Sequence, residues 1–96
     1  MSVIFKPGDI VSLKLTTSEE VVARLGDTSN AEIVVLSKPM SFMMGPNGVG
    51  LIPFMLSAGK EYKVSIPREH VLCMIEPDNN VGTQYQRQTS SIVIAA

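Results

Sequence analysis

Leu13-Lys14-Leu15-Thr16-Thr17-Ser18-Glu19-Glu20-Val21-Val22-Ala23-Arg24-Leu25 is the stretch whose reading decides the fold. Val11, Leu13 and Leu15 fall at every second position, with Ser12, Lys14 and Thr16 between them. Successive side chains of a strand point to opposite faces, so a period of two marks a strand with one buried face. Thr17-Ser18-Glu19 interrupts the pattern with polar residues. Val21, Ala23 and Leu25 then resume it against Val22 and Arg24. No helix has this spacing, and two strands joined by a tight turn are expected.

Outward from there, Met1 to Pro7 is a lead-in in which Ile4 and Phe5 are placed to cover one end of the core. Pro7-Gly8-Asp9 is a turn signal into the first strand, Ile10 to Thr16. Gly26 to Asn30 is a polar loop rich in turn formers. Ile33-Val34-Val35-Leu36 opens the third strand with four apolar residues in a row, which requires cover on both faces. Gly45-Pro46-Asn47-Gly48 reads as a hairpin turn, and its flanks carry the Met-rich ribbon Met40 to Leu56. Tyr62, Val64 and Ile66 alternate again. Pro67-Arg68-Glu69 makes a very short connection into His70 to Ile75, where Val71, Cys73 and Ile75 are expected to face inward and Leu72 and Met74 outward. Residues 78–96 are rich in Gln, Asn, Thr and Ser and read as a polar, partly disordered tail with a short helical turn around Gln84 to Gln88. The terminal Ile92-Val93-Ile94 is a candidate to add to a sheet edge.

Composition narrows the function classes. The chain has 96 residues, enough for one domain, here assigned to residues 1–77. It has no Trp and only five Phe and Tyr, so Val, Ile, Leu and Met must build the core. Eight Lys and Arg against nine Asp and Glu give a net charge of −1, which argues against a strongly basic nucleic-acid surface. One Cys excludes an internal disulfide and suits a reducing compartment. No signal peptide is visible, and the apolar segment 40–56 is cut by Gly and Pro, so a cytoplasmic protein without a membrane partner is expected. One His, one apolar-strand Cys expected to be buried and inert, and no Gly-rich phosphate loop argue against an enzyme, a metal or another cofactor. Short strands with turns every eight to fifteen residues point to an all-β fold, a small, strongly bent, five-stranded barrel.

The segment Leu13 to Leu25 resembles the first motif of Sm and Sm-like proteins, with Leu13, Leu15, Val21, Ala23 and Leu25 at its apolar and small positions. Asp27 and Asn30 fall where the family's loop carries Asp and Asn, and Val64 to Val71 is similar to its second motif. The likeness spans Gly8 to Ile75 and implies an Sm-like (SH3-type) barrel of a divergent microbial or phage type, with a long hairpin between strands 3 and 4. Ser18 and Ala23 stand where the family has glycines, which requires backbone at negative φ there. The loop also lacks the ring that stacks on a base.

The resemblance implies an RNA site at Asp27, Asn30 and Arg68, with Asp27 holding the loop, Asn30 reading a base edge and Arg68 stacking on a base or pairing with phosphate. It also implies a ring in which the last strand of one subunit pairs with the fourth strand of the next, with Val64, Ile66, Leu72 and Met74 at the contact. An apolar, unpaired last strand independently calls for a partner. Head-to-tail pairing gives a homo-oligomeric ring of about five to seven subunits. The function expected is single-stranded RNA binding, as a chaperone or regulator. The alternative is an oligomeric structural or protein-interaction module, phage-associated and without nucleic acid. For the edge itself, the alternative is a monomer capped by Ile92-Val93-Ile94.

Overall fold

The computed structural model describes residues 4–59 and 61–90. Its elements are β1 (Ile10–Leu15), β2 (Glu20–Leu25), β3 (Ile33–Gly45), β4 (Gly48–Pro53), β5 (Lys63–Pro67), a 3-10 turn (Arg68–His70), β6 (Val71–Ile75) and α1 (Asn79–Thr89). All pairings are antiparallel, in the order β4-β3-β2-β1-β6, with β5 also on β3. The protein is mainly β, as its alternation requires. The strands are six rather than five, because β4 ends at Pro53 and β5 begins only at Lys63. Proline has no N–H to give a ladder, and Pro53 ends β4.

The deciding turn forms as expected, with Leu13 opposite Val21 and the Leu15 N–H donating to the Glu19 carbonyl at 2.9 Å. Ser18, however, sits at φ 76°. The turn needs the left-handed conformation that glycine adopts freely, and a side chain there costs about 1–2 kcal/mol. The condition that let a serine replace glycine is therefore not met, and the turn is held under strain.

β3 is long enough to serve two neighbours because it kinks. Arg24 pairs with Ser37 and Val22 with Met40, so Ala23 faces one extra residue, a β-bulge at Lys38-Pro39. Lys38 has φ 50°. Residues before the kink pair with β5 and those after it with β4. Both tyrosines of the chain are fastened to this kink. The Tyr85 hydroxyl lies 2.9 and 3.0 Å from the Ser37 and Lys38 carbonyls. The Tyr62 hydroxyl donates to the Pro39 carbonyl and accepts from the Phe54 N–H at 3.1 Å.

The sheet is strongly bent. On a flat sheet β5 and β6 would lie four strand spacings apart, about 19 Å. They are joined by three residues in a 3-10 turn, which advances only about 6 Å. The ends of the path must curl toward one another. The concave face encloses Val11, Leu13, Leu15, Val21, Ala23, Leu25, Val34 and Leu36, with Phe5, Val64, Ile66, Val71 and Met74 packed against them.

The convex face holds a second, smaller cluster of Val22, Met40, Leu51 and Tyr85. Tyr85 comes from α1, an eleven-residue helix where only a short turn is expected. Asp78 caps it by accepting the Asn80 N–H at 3.1 Å, and Thr89 returns its hydroxyl to the Tyr85 carbonyl at 2.7 Å. The sequence-based expectation for Ile92-Val93-Ile94 lies outside the described residues. Among the described residues no helix is long and apolar enough to cross a membrane.

β6 departs from its expected faces. Its register against β1 runs Ser12–Ile75, Leu13–Met74, Lys14–Cys73 and then Leu15–Val71, so Leu72 is an extra residue. A bulge resets the alternation: Val71 and Met74 turn to the core, whereas Leu72, Cys73 and Ile75 are exposed. The expected inward placement of Cys73 and Ile75, the outward placement of Met74, and the buried thiol are thereby corrected.

Candidate functional site: a mixed apolar and polar hollow

The loop between β2 and β3 is built by its own side chains. Gly26 donates to the Val35 carbonyl at 2.8 Å, and a Cβ at Gly26 would meet the Val35 side chain at 2.8 Å, so no larger residue fits without a shift. Asp27 accepts the Ser29 N–H and the Ser29 hydroxyl, each at 3.0 Å. These bonds hold its carboxyl below the usual carboxylate range. Both of its oxygens are engaged, so Asp27 shapes the loop. Asn30 uses its Oδ1 to accept the Glu32 N–H at 2.9 Å, which leaves its NH2 as the donor end.

Arg68 reaches the same place from the other end of the chain. It opens the 3-10 turn, and its N–H donates to the Glu32 carbonyl at 2.9 Å, docking the turn onto the loop. The exposed Arg68 guanidinium has no hydrogen bond or ion pair among the described residues. Asp27, Asn30 and Arg68, about forty positions apart at the extremes, line one hollow of about 500 Å³. Its apolar lining includes Leu25, Ile33, Val34 and Met74, and its aromatic is Phe5.

Phe5 is a member of this hollow that local sequence pattern did not single out, beyond its expected place over one end of the core. It arrives there because the lead-in is tied to the end of β2. Gly8, at φ 97°, donates to the Leu25 carbonyl at 2.8 Å, and Leu25 donates to the Asp9 carbonyl at 2.8 Å. The Asp9 carboxylate accepts the Lys6 N–H at 2.9 Å. The signal available in advance was the Pro7-Gly8-Asp9 turn, which folds the preceding residues back.

Of the expected contact residues, Val64, Ile66 and Met74 are half-buried against the concave core, and Leu72 is 64% exposed on the edge strand. Within the Met-rich ribbon, Met40 belongs to the convex cluster and Met43, Met44 and Met55 are exposed. A hollow of about 460 Å³ at the seam of α1 also carries cations, Arg24 and Lys38. They are already engaged: Lys38 Nζ lies 3.3 Å from the Glu61 carboxylate and 3.1 Å from the Thr89 carbonyl, and Arg24 donates to the Gly8 carbonyl at 2.8 Å. Among the described residues, no three His, Cys, Asp or Glu side chains gather as metal ligands.

No protein-family profile matches the chain, and no curated protein matches it in sequence. Among solved structures, a chain in "Crystal structure of the NatC complex bound to CoA" is similar, with a TM-score of 0.51 and 20% identity over 85% of this chain and 96% of that one. At that identity the likeness concerns the fold alone: a near-complete chain of similar architecture exists in that complex.

Proposed function

We propose that this chain is an Sm-like subunit whose bent sheet closes as a small barrel, which assembles into a homo-oligomeric ring, and whose Asp27–Asn30–Arg68 hollow takes an unpaired base of single-stranded RNA. The observation that carries the reading is the Arg68 guanidinium, without a hydrogen bond or ion pair among the described residues, lining one apolar-floored hollow together with Asn30. A base offers a flat apolar face and a polar edge, and single-stranded RNA is bound by stacking such faces on planar groups while hydrogen bonds take the edges. Assembly is supported by β5 and β6, which carry the expected contact residues and each pair with one strand among the described residues, and by exposed Leu72 and Ile75 on β6. The protein works in a reducing cytoplasm, where exposed Cys73 stays a thiol.

Two measurements test this. Light scattering should give a particle several times the 10.4 kDa chain, and a 10.4 kDa species would contradict the ring. Labelled U-rich and A-rich oligonucleotides should bind with an affinity that falls as salt rises, because phosphate contacts release counterions. A second reading, a protein-interaction module, is favoured by Met44 at 80% and Leu56 at 79% exposure on the hairpin side. Replacing Met43 and Met44 by Ser should leave RNA binding intact under the first reading and abolish association with a partner under the second.

A further inference from the structure

The hollow holds an aromatic ring from a part of the chain that lies far from its polar loop. We infer that Phe5 is the stacking platform of the base site, contributed by the N-terminal lead-in. This rests on the base-binding reading of the hollow.

Four observations carry it. Phe5 lines the same hollow as Asn30 and Arg68, where it is the aromatic residue. It is half-buried, packed against the concave core on one side while reaching the cavity, so part of its surface is fixed and part is available. Its position is set by built hydrogen bonds, from Lys6 to the Asp9 carboxylate and from Gly8 to the Leu25 carbonyl, so the ring is held before any ligand arrives. The loop that carries Asp27 and Asn30 itself has no ring, since Gly26-Asp27-Thr28-Ser29-Asn30-Ala31-Glu32 contains none. A base needs an apolar plane as well as an edge partner, and a pre-positioned ring supplies it at little ordering cost. Phe5 would cover the base face and the Arg68 guanidinium would supply charge or a second plane, while Asn30 donates to the base edge. A phenyl ring has no hydrogen-bonding group, so it favours any base over none and leaves the choice of base to Asn30.

The chain has no Trp, which makes the test direct. Phe5→Trp introduces a single indole whose emission should be quenched by a short U-rich oligonucleotide and left unchanged by the same sugar-phosphate chain lacking its bases. In parallel, Phe5→Leu, which keeps apolar packing, should weaken binding about tenfold, and Phe5→Tyr should bind as the parent does. Circular dichroism and the thermal midpoint verify that each variant folds, and the Trp readout needs no loss of packing. An emission that ignores the oligonucleotide while Arg68→Ala still weakens binding would overturn the Phe5 assignment and leave the hollow as the base site. An unmodified protein with no affinity for any oligonucleotide would overturn the base site, and Phe5's role with it.

Discussion

The two faces of the sheet are closed in different ways. The concave face is sealed by many aliphatic residues from β1, β2 and β3, each contributing a modest share. The convex face is sealed chiefly by one side chain, Tyr85, which is 0% exposed and is the buried residue of α1. The concave core tolerates no single substitution easily yet depends on none alone. The convex cluster concentrates packing and two hydrogen bonds in one phenol, placed over the bulge that lets β3 serve both β4 and β5. One face is a sum of aliphatic contacts and the other is a latch.

The largest effect expected from breaking this contrast is at Leu13, 1% exposed in the concave core. Leu13→Ala should lower stability by about 3 kcal/mol in urea unfolding, with all spectroscopic probes moving together. The latch should respond to pH instead. Burial pushes the Tyr85 phenol up to about 12, with Arg24 opposing in part. The unfolded phenol ionises near 10, so the folded state holds the proton more tightly. Stability is then complete below pH 10 and falls as pH rises toward about 12, by roughly 2–3 kcal/mol. Tyr85→Phe should cost about 1 kcal/mol at neutral pH and remove most of that alkaline slope. Smallest, and of opposite sign, Ser18→Gly should raise stability by about 0.5 kcal/mol, because relief of the left-handed strain exceeds the added freedom of the unfolded chain. A thermal midpoint unchanged or lowered would remove strain from the account of that turn.

The same contrast explains what was legible in the sequence. The concave core was, because Leu13, Leu15, Val21, Ala23 and Leu25 announce themselves by alternation. The convex cluster was not: Val22 falls on the polar side of that alternation and is nevertheless 0% exposed, because a tyrosine sixty-three positions later covers it. Composition around Tyr85 is polar, since α1 fully buries one residue while Asn79, Asn80 and Gln86 are exposed, and such a segment reads as a tail. The faces of β6 were misassigned because a bulge at Leu72 shifts the alternation, and a bulge leaves no mark in an unbroken apolar run. The hollow was half legible. Asp27, Asn30 and Arg68 were singled out by motif resemblance, and folding brings them together, whereas Phe5 joins them through a turn whose direction only the fold reveals.

The most direct test of the proposed base-binding role of the hollow compares two arginines. Arg68 lines it without an ion pair among the described residues, and Arg87 is exposed in the last turn of α1. With a labelled U-rich oligonucleotide at fixed salt, Arg68→Ala should weaken binding by about tenfold or more, and Arg87→Ala by less than about twofold. Equal losses at the two positions, or no loss at Arg68, would contradict the account.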